Sequence, residues 1–211
     1  MDVVDPKIND YLLSLARSDD DEVLLEMEAE AEKEDFPIIG RLCGKSLEVI
    51  ARAAGARRIF ELGSGFGYSA YWFSRATGPE GEIHLSDGDP ENERKAMDYL
   101  ARAGLAEPIT YHVGDALEAL ASVEGEFDIV YCDIDKDGYP DAWRASKERV
   151  RVGGLFMCDN MFFNGRAIDP DQDDAYGTAV NELNHAIAGD RDWRSFINPT
   201  RDGVIVAVRL R

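Results

Sequence analysis

The sequence predicts a single α/β domain over 1–211: a mostly parallel sheet covered by helices, with one antiparallel strand at its C-terminal end. Three observations predict it. Short apolar runs at 58–62, 82–85, 109–113, 127–132 and 155–158 read as buried strands, each followed by amphipathic, helix-like sequence. Strands alternating with helices require right-handed crossovers, and hence a parallel sheet. The chain end breaks that rule, because 193–197, the turn Asn198-Pro-Thr-Arg-Asp-Gly203 and 204–208 read as a hairpin.

Before the first strand the pattern is helical, which makes 1–55 a helical cover on an α/β core at 56–211. Ile8, Leu12 and Leu15, then Val23, Leu24 and Met27, recur at helical spacing within acidic sequence. A third helix begins near Arg41 and ends at Gly55, a residue suited to a helix C-terminal cap. The loop from Met161 to about Gln172 is the one long irregular segment, and long loops in compact domains tend to be functional.

Composition narrows the class. At 211 residues the chain can bury a core without a disulfide or structural metal. No apolar run reaches the roughly 18 residues of a membrane span, and the acidic start lacks a secretory signal's basic and apolar regions. A cytoplasmic protein is expected. Cys43, Cys132 and Cys158 read as buried free thiols. A formal net charge of -19 repels phosphate backbones, so general nucleic-acid binding is disfavoured. Such surfaces also occur in proteins adapted to high salt.

The segment Glu61-Leu-Gly63-Ser-Gly65-Phe-Gly67-Tyr-Ser69 lies between a strand and a helix, where glycines let backbone approach a ligand. Tyr68 breaks the dinucleotide spacing G-x-G-x-x-G. The spacing found suits a nucleoside joined to an amino acid, with Gly63 and Gly65 making room for it. Glu61 either organises the loop or meets the ligand's ammonium. At the second strand end, Asp87 is placed to accept from a ribose diol, while Asp89 before Pro90 is equally a helix N-cap. Asp115 after the third strand either accepts from an adenine amino group or caps a helix.

Two acidic clusters follow at the fourth and fifth strand ends, on the same sheet edge: Asp133-Ile-Asp-Lys136-Asp137 and Asp159-Asn160. Asp133, Asp159 and Asn160 offer hard oxygen donors, suited to Mg²⁺, Mn²⁺ or Ca²⁺ rather than zinc. Lys136 is either a general base for a substrate hydroxyl or an ion-pair partner of Asp133, Asp135 or Asp137.

Together with Gly114-Asp-Ala116 and Gly153-Gly154, these motifs resemble the metal-dependent O-methyltransferases typified by caffeoyl-CoA and catechol O-methyltransferases, from about Phe36 onwards. The resemblance implies a Rossmann-like class I methyltransferase sheet of seven strands, the last antiparallel, and S-adenosylmethionine as cofactor. It puts Glu61, Gly63 and Ser69 at the methionine part, Asp87 on the ribose, and Asp115 and Ala116 near adenine. Asp133 would touch cofactor and metal, most simply Mg²⁺. Asp159 and Asn160 would complete the ligands, and Asp133 and Lys136 would be catalytic. It further implies a homodimer and a small phenolic, catechol-like or other vicinal-dihydroxy acceptor. Alternatives are a hydroxylated tRNA uridine as acceptor, or a cofactor-binding fold without catalysis. Three departures stand out: Cys43 before Gly44, Phe163 as a reshaped aromatic wall, and the acidic segment 169–174 as a lid, which disfavours caffeoyl-CoA itself.

Overall fold

The computed structural model describes residues 4–16, 21–171 and 173–211, so Gln172 at the expected end of the loop lies outside the described residues. Seven strands form one sheet in the order β3-β2-β1-β4-β5-β7-β6. They are β1 Arg58–Leu62, β2 Glu82–Asp87, β3 Ile109–Val113, β4 Phe127–Cys132, β5 Val150–Cys158, β6 Trp193–Asn198 and β7 Val204–Arg209. The first five pair in parallel, and β7 runs antiparallel between β5 and β6. The predicted sheet is present, with two strands longer than their apolar runs. β2 extends to Asp87 and β5 begins at Val150, where a register shift opposite 127–129 and Gly153 at φ 80° interrupt the apolar pattern.

Alternation along β1 shows how the layers form. Ile59 joins the core cluster under α2 Glu22–Glu34, α3 Gly40–Ala53, α4 Tyr68–Thr77 and α5 Pro90–Arg102. Phe60 and Leu62 join the cluster on the other face, under α6 Ala116–Ser122, α7 Tyr139–Ser146 and α8 Ala175–Gly189. Glu61 shares the first face with Ile59, and its carboxyl group is the exception among the buried side chains of the strand.

The cover lies on the first face. Its third helix ends as expected: Gly55 takes φ 61°, its amide donates to Arg52, and the Ala56 amide donates to Ala51. α2 is capped by Asp21, whose carboxylate accepts from the amides of Val23 and Leu24. Polar contacts fix α2 across the glycine-loop side of the sheet. Glu28 takes a two-pronged ion pair from Arg41, at 2.7 and 2.9 Å, and a 2.8 Å hydrogen bond from the Tyr68 hydroxyl. Lys95 of α5 reaches Glu30 at 2.8 Å. The helix α1 Pro6–Ala16 buries only Ala16 and leaves Ile8, Tyr11, Leu12 and Leu15 exposed.

Gly44 of α3 lies against the indole of Trp72, and a Cβ there would stand 2.1 Å from Nε1. Trp72 is fully buried and cannot yield. Gly44→Ala should therefore cost about 1–3 kcal/mol in urea unfolding. Gly189→Ala, where nothing lies within 4 Å of a built Cβ, should be neutral or slightly stabilising.

Candidate functional site

A cavity of about 1050 Å³ opens along the C-terminal ends of β1 to β5, between the cover and the hairpin. Open α/β sheets bind ligands at this edge, where strand order reverses, here between β1 and β4. The lining includes Gly63, Gly65, Ser69, Asp87, Asp115, Ala116, Asp133, Lys136, Asp159 and Asn160. Of the predicted site residues only Glu61 stays outside the lining.

The glycine loop is held from below. The amides of Gly63 and Ser64 donate to the Ser86 carbonyl at 3.0 and 2.8 Å, and Gly67, at φ 86°, begins α4. Gly63 takes φ 81°, and a Cβ on it would stand 2.5 Å from the Asp133 carbonyl oxygen. Only glycine allows both that backbone and that approach.

Glu61 is fully buried beneath this loop. The Ser69 hydroxyl donates to its Oε1, while Oε2 has no hydrogen-bond partner among the described residues. Burial pushes the Glu61 carboxyl up to about 8, against the pull of the Ser69 hydrogen bond and with the Asp133 charge adding to the rise. Loop organisation is thus the role visible in the structure, and it passes through Ser69. The orphaned oxygen and the bare glycine backbone above it are what a cationic, amino-acid-bearing ligand would satisfy.

Asp87 ends β2 with both oxygens engaged: Oδ2 accepts from the Gly65 amide at 3.1 Å, and Oδ1 from the Asp89 amide and the Asn92 side chain. Asp89 is the N-cap of α5 through the Glu91 amide at 2.9 Å. Asp115 caps α6 by accepting from Leu117 and Glu118, and it also borders the cavity.

At the other end stand the two acidic clusters. The Asp133 amide donates to the Leu62 carbonyl at 2.8 Å, and its Oδ1 accepts from Lys136 Nζ at 3.2 Å. Lys136 also donates to the Ile134 carbonyl and lies 5.0 Å from the Tyr139 ring centre. Burial works to lower the Lys136 ammonium, but the Asp133 carboxylate, together with Cys158 and Asp159, outweighs it and the net shift is upward. The ion pair left open in the sequence is the one with Asp133. Asp159 is buried, and that burial, reinforced by the Asp133 charge, pushes its carboxyl up to about 7. Asn160 adopts φ 59°, turning the chain, and its amide nitrogen donates to Asp202 at 3.4 Å. Among the described residues no group of three or more His, Cys, Asp or Glu side chains is arranged to hold a metal ion. The oxygen set here is two carboxylates and an amide. Such hard donors fit Mg²⁺, and two desolvated carboxyls, with the Asp133 charge raising Asp159, are what a cation would relieve.

Two expectations about the rim need correction. Phe163 does not line the cavity. It has φ 45° and packs against Tyr176 and the Arg166 guanidinium, outside the cavity. The acidic segment 169–174 is not a lid in this structure, since none of its described residues borders the cavity, and Asp174 instead caps α8 and pairs with Arg166. The sequence reading also missed contributors. Phe36 and Ile38 come from the cover, and Arg201 and Asp202 from the hairpin turn. An Arg-Asp-Gly turn at a strand end is a weak signal, and nothing local says it folds back beside Asp159.

A doubly wound sheet with an antiparallel β7, and a glycine loop flooring a cavity at its switch point, defines the Rossmann-like methyltransferase class. The O-methyltransferase family model matches residues 15–210, and the chain belongs to that family. It is 33% identical over 175 residues to a putative O-methyltransferase of Mycolicibacterium smegmatis, covering 82% of this chain and 81% of that one. It is 30% identical over 179 residues to caffeoyl-CoA O-methyltransferase of Eucalyptus gunnii, covering 80% and 72%. Among solved structures it is similar to the O-methyltransferase TomG of Streptomyces achromogenes, involved in tomaymycin synthesis and crystallised with SAM. The TM-score is 0.87 at 29% identity, over 97% of this chain and 96% of that one.

The buried Glu61 makes stability pH-dependent. Its folded value, about 8, lies above the ordinary 4.5, so the native state holds the proton more tightly. Stability from this group is full below pH 4.5 and is lost as pH rises towards 8, by at most about 1.4 kcal/mol per pH unit. Glu61→Gln should flatten the pH dependence of urea unfolding in that window; parallel curves for both proteins would count against the assignment.

Proposed function

We propose that the chain is an S-adenosylmethionine-dependent, divalent-metal-assisted O-methyltransferase acting on a small catechol-like or other vicinal-dihydroxy substrate. The observation that carries this reading is that Asp133, Lys136, Asp159 and Asn160 share one wall of the cavity that Gly63 and Gly65 floor. S-adenosylmethionine brings the transferable methyl group, and Mg²⁺ brings Lewis acidity that makes a hydroxyl a better nucleophile.

The protein's own part is placement and proton handling. Gly63, Gly65 and Ser69 receive the methionine portion, with the unpartnered Oε2 of Glu61 beneath to accept from its ammonium. Asp87 receives the ribose, and Asp115 and Ala116 border adenine. Asp133, Asp159 and Asn160 hold the cation, the Asn160 nitrogen being committed to Asp202 and its carbonyl oxygen remaining for ligation. Lys136 takes the hydroxyl proton. As an ion pair with Asp133 it is held protonated, and with that carboxylate shared with a bound cation the pull that raises Lys136 would weaken. Alignment of the oxygen with the methyl group, in a cavity that the cover borders on one side, supplies much of the rate.

The acidic surface favours a small acceptor over tRNA. The exposed apolar residues of α1 support a homodimer, and no helix among the described residues is long and apolar enough to cross a membrane. We place the enzyme in the cytoplasm.

Two outcomes test the reading. EDTA should abolish methyl transfer from labelled S-adenosylmethionine to a catechol, and Mg²⁺ should restore it, while calorimetry shows cofactor affinity largely retained. Undiminished turnover in EDTA would remove the metal from the mechanism. Lys136→Ala should lower kcat by about 10²-fold or more with little change in cofactor affinity; an unchanged kcat returns Lys136 to a purely structural ion pair.

A further inference from the structure

The cavity wall is strongly one-signed. Among the described residues eleven Asp or Glu side chains line it against two cations, Lys136 and Arg201. Lys136 is committed to Asp133. Arg201 is different. In a chain with 42 acidic residues its guanidinium pairs with no carboxylate among the described residues, although Asp133 and Asp159 lie near enough to feel its charge.

Its position is built rather than incidental. Arg201 takes φ 53° in the β6–β7 turn, an uncommon backbone for a side chain of its size. The turn is pinned beside the metal-binding segment: the amides of Met161 and Phe162 donate to the carbonyls of Gly203 and Asp202 at 3.0 and 2.8 Å. From there Nη1 reaches across and donates to the Ile38 carbonyl of the cover. Gly40 leaves the space it occupies, since a Cβ there would stand 2.8 Å from Nη1. One nitrogen therefore anchors the group, and the rest of a planar fork remains at the cavity mouth, on the acceptor side next to Asp159-Asn160.

We propose that Arg201 is a specificity-determining residue that binds a carboxylate on the methyl acceptor, making the substrate class a small dihydroxy-aromatic acid. This rests on the reading of the site as a catechol O-methyltransferase. A guanidinium fork matches a carboxylate in shape and charge. The surrounding acids act in the opposite sense on polyanions, so a free acid is admitted where its coenzyme A thioester, carrying several phosphate charges, is repelled.

The test compares four acceptors with Mg²⁺ and S-adenosylmethionine: catechol, dopamine, caffeate and caffeoyl-CoA. Wild type should show its highest kcat/KM with caffeate. Arg201→Gln, which keeps a donor for Ile38, and Arg201→Lys, which keeps charge without the fork, should each raise KM for caffeate about tenfold or more. Neither should change kcat/KM for catechol more than about twofold. Equal losses across acceptors would reduce Arg201 to a clasp for the cover and overturn the proposal, as would a wild-type preference for dopamine or caffeoyl-CoA. If wild type methylates none of the four, the catechol reading itself falls and takes this inference with it. Thermal melting of both variants alongside wild type separates a folding defect from a change in specificity.

Discussion

The approach of two backbones, Gly63 at the end of β1 and Asp133 at the end of β4, is the constraint on which the rest of the site depends. A side chain on residue 63 would meet the Asp133 carbonyl at 2.5 Å, and the Asp133 amide is already bonded to Leu62. These two strands are neighbours in space although β2 and β3 lie between them in sequence, as the doubly wound order requires. Because they meet without a spacer, the glycine loop and the acidic cluster open into one cavity. In the proposed reading a cofactor on the first would lie beside an oxygen nucleophile on the second, the arrangement a direct methyl transfer needs.

That closeness has an electrostatic cost. Glu61, Asp133 and Asp159 are carboxyls taken from water within one sheet edge, each raised by burial, with Asp133 raising the other two. Lys136 offsets part of it at Asp133, and nothing among the described residues bonds Glu61 Oε2. The site is thus unfavourable as it stands and is improved by positive charge at two separate points. One lies beneath the glycine loop, where a cofactor's ammonium and sulfonium bring charge. The other lies between Asp133 and Asp159, where the proposed divalent cation would do so. Binding energy at both points offsets the folding stability that the buried acids give up.

How much of this was legible depends on whether a feature is local. The strands could be read because burial on both faces makes an apolar run, and β2 and β5 were underestimated where Asp87 and Gly153-Gly154 interrupt one. Asp133, Lys136, Asp159 and Asn160 could be read because the strand ends of a parallel sheet share one edge, so topology alone groups them. Arg201 could not. Its place follows from hydrogen bonds between the hairpin turn and 161–162, and its reach to Ile38 spans 163 positions. Phe163 failed for the reverse reason: its neighbourhood in sequence suggested the cavity, but the left-handed backbone at 163 and 164 directs the chain away to Tyr176 and Arg166.

The large negative charge also acquires an internal logic. Three of the basic residues hold α2 in place: Arg41 of α3 pairs with Glu28, and Lys95 and Arg102 of α5 pair with Glu30 and Glu26. Glu28 lies at the cavity rim, and the Tyr68 hydroxyl that opens α4 donates to it as well. Arg41 is almost fully shielded from solvent, so its two-pronged pair is less screened than a surface contact, whereas the Arg102 pair is exposed and weak. The cover is therefore fixed most firmly where it meets the glycine loop and more loosely towards its outer edge. A helix tethered in that way can hold the cover over the glycine loop, while on the side of Asp159 the cover is joined to the hairpin turn through the Arg201 contact with Ile38.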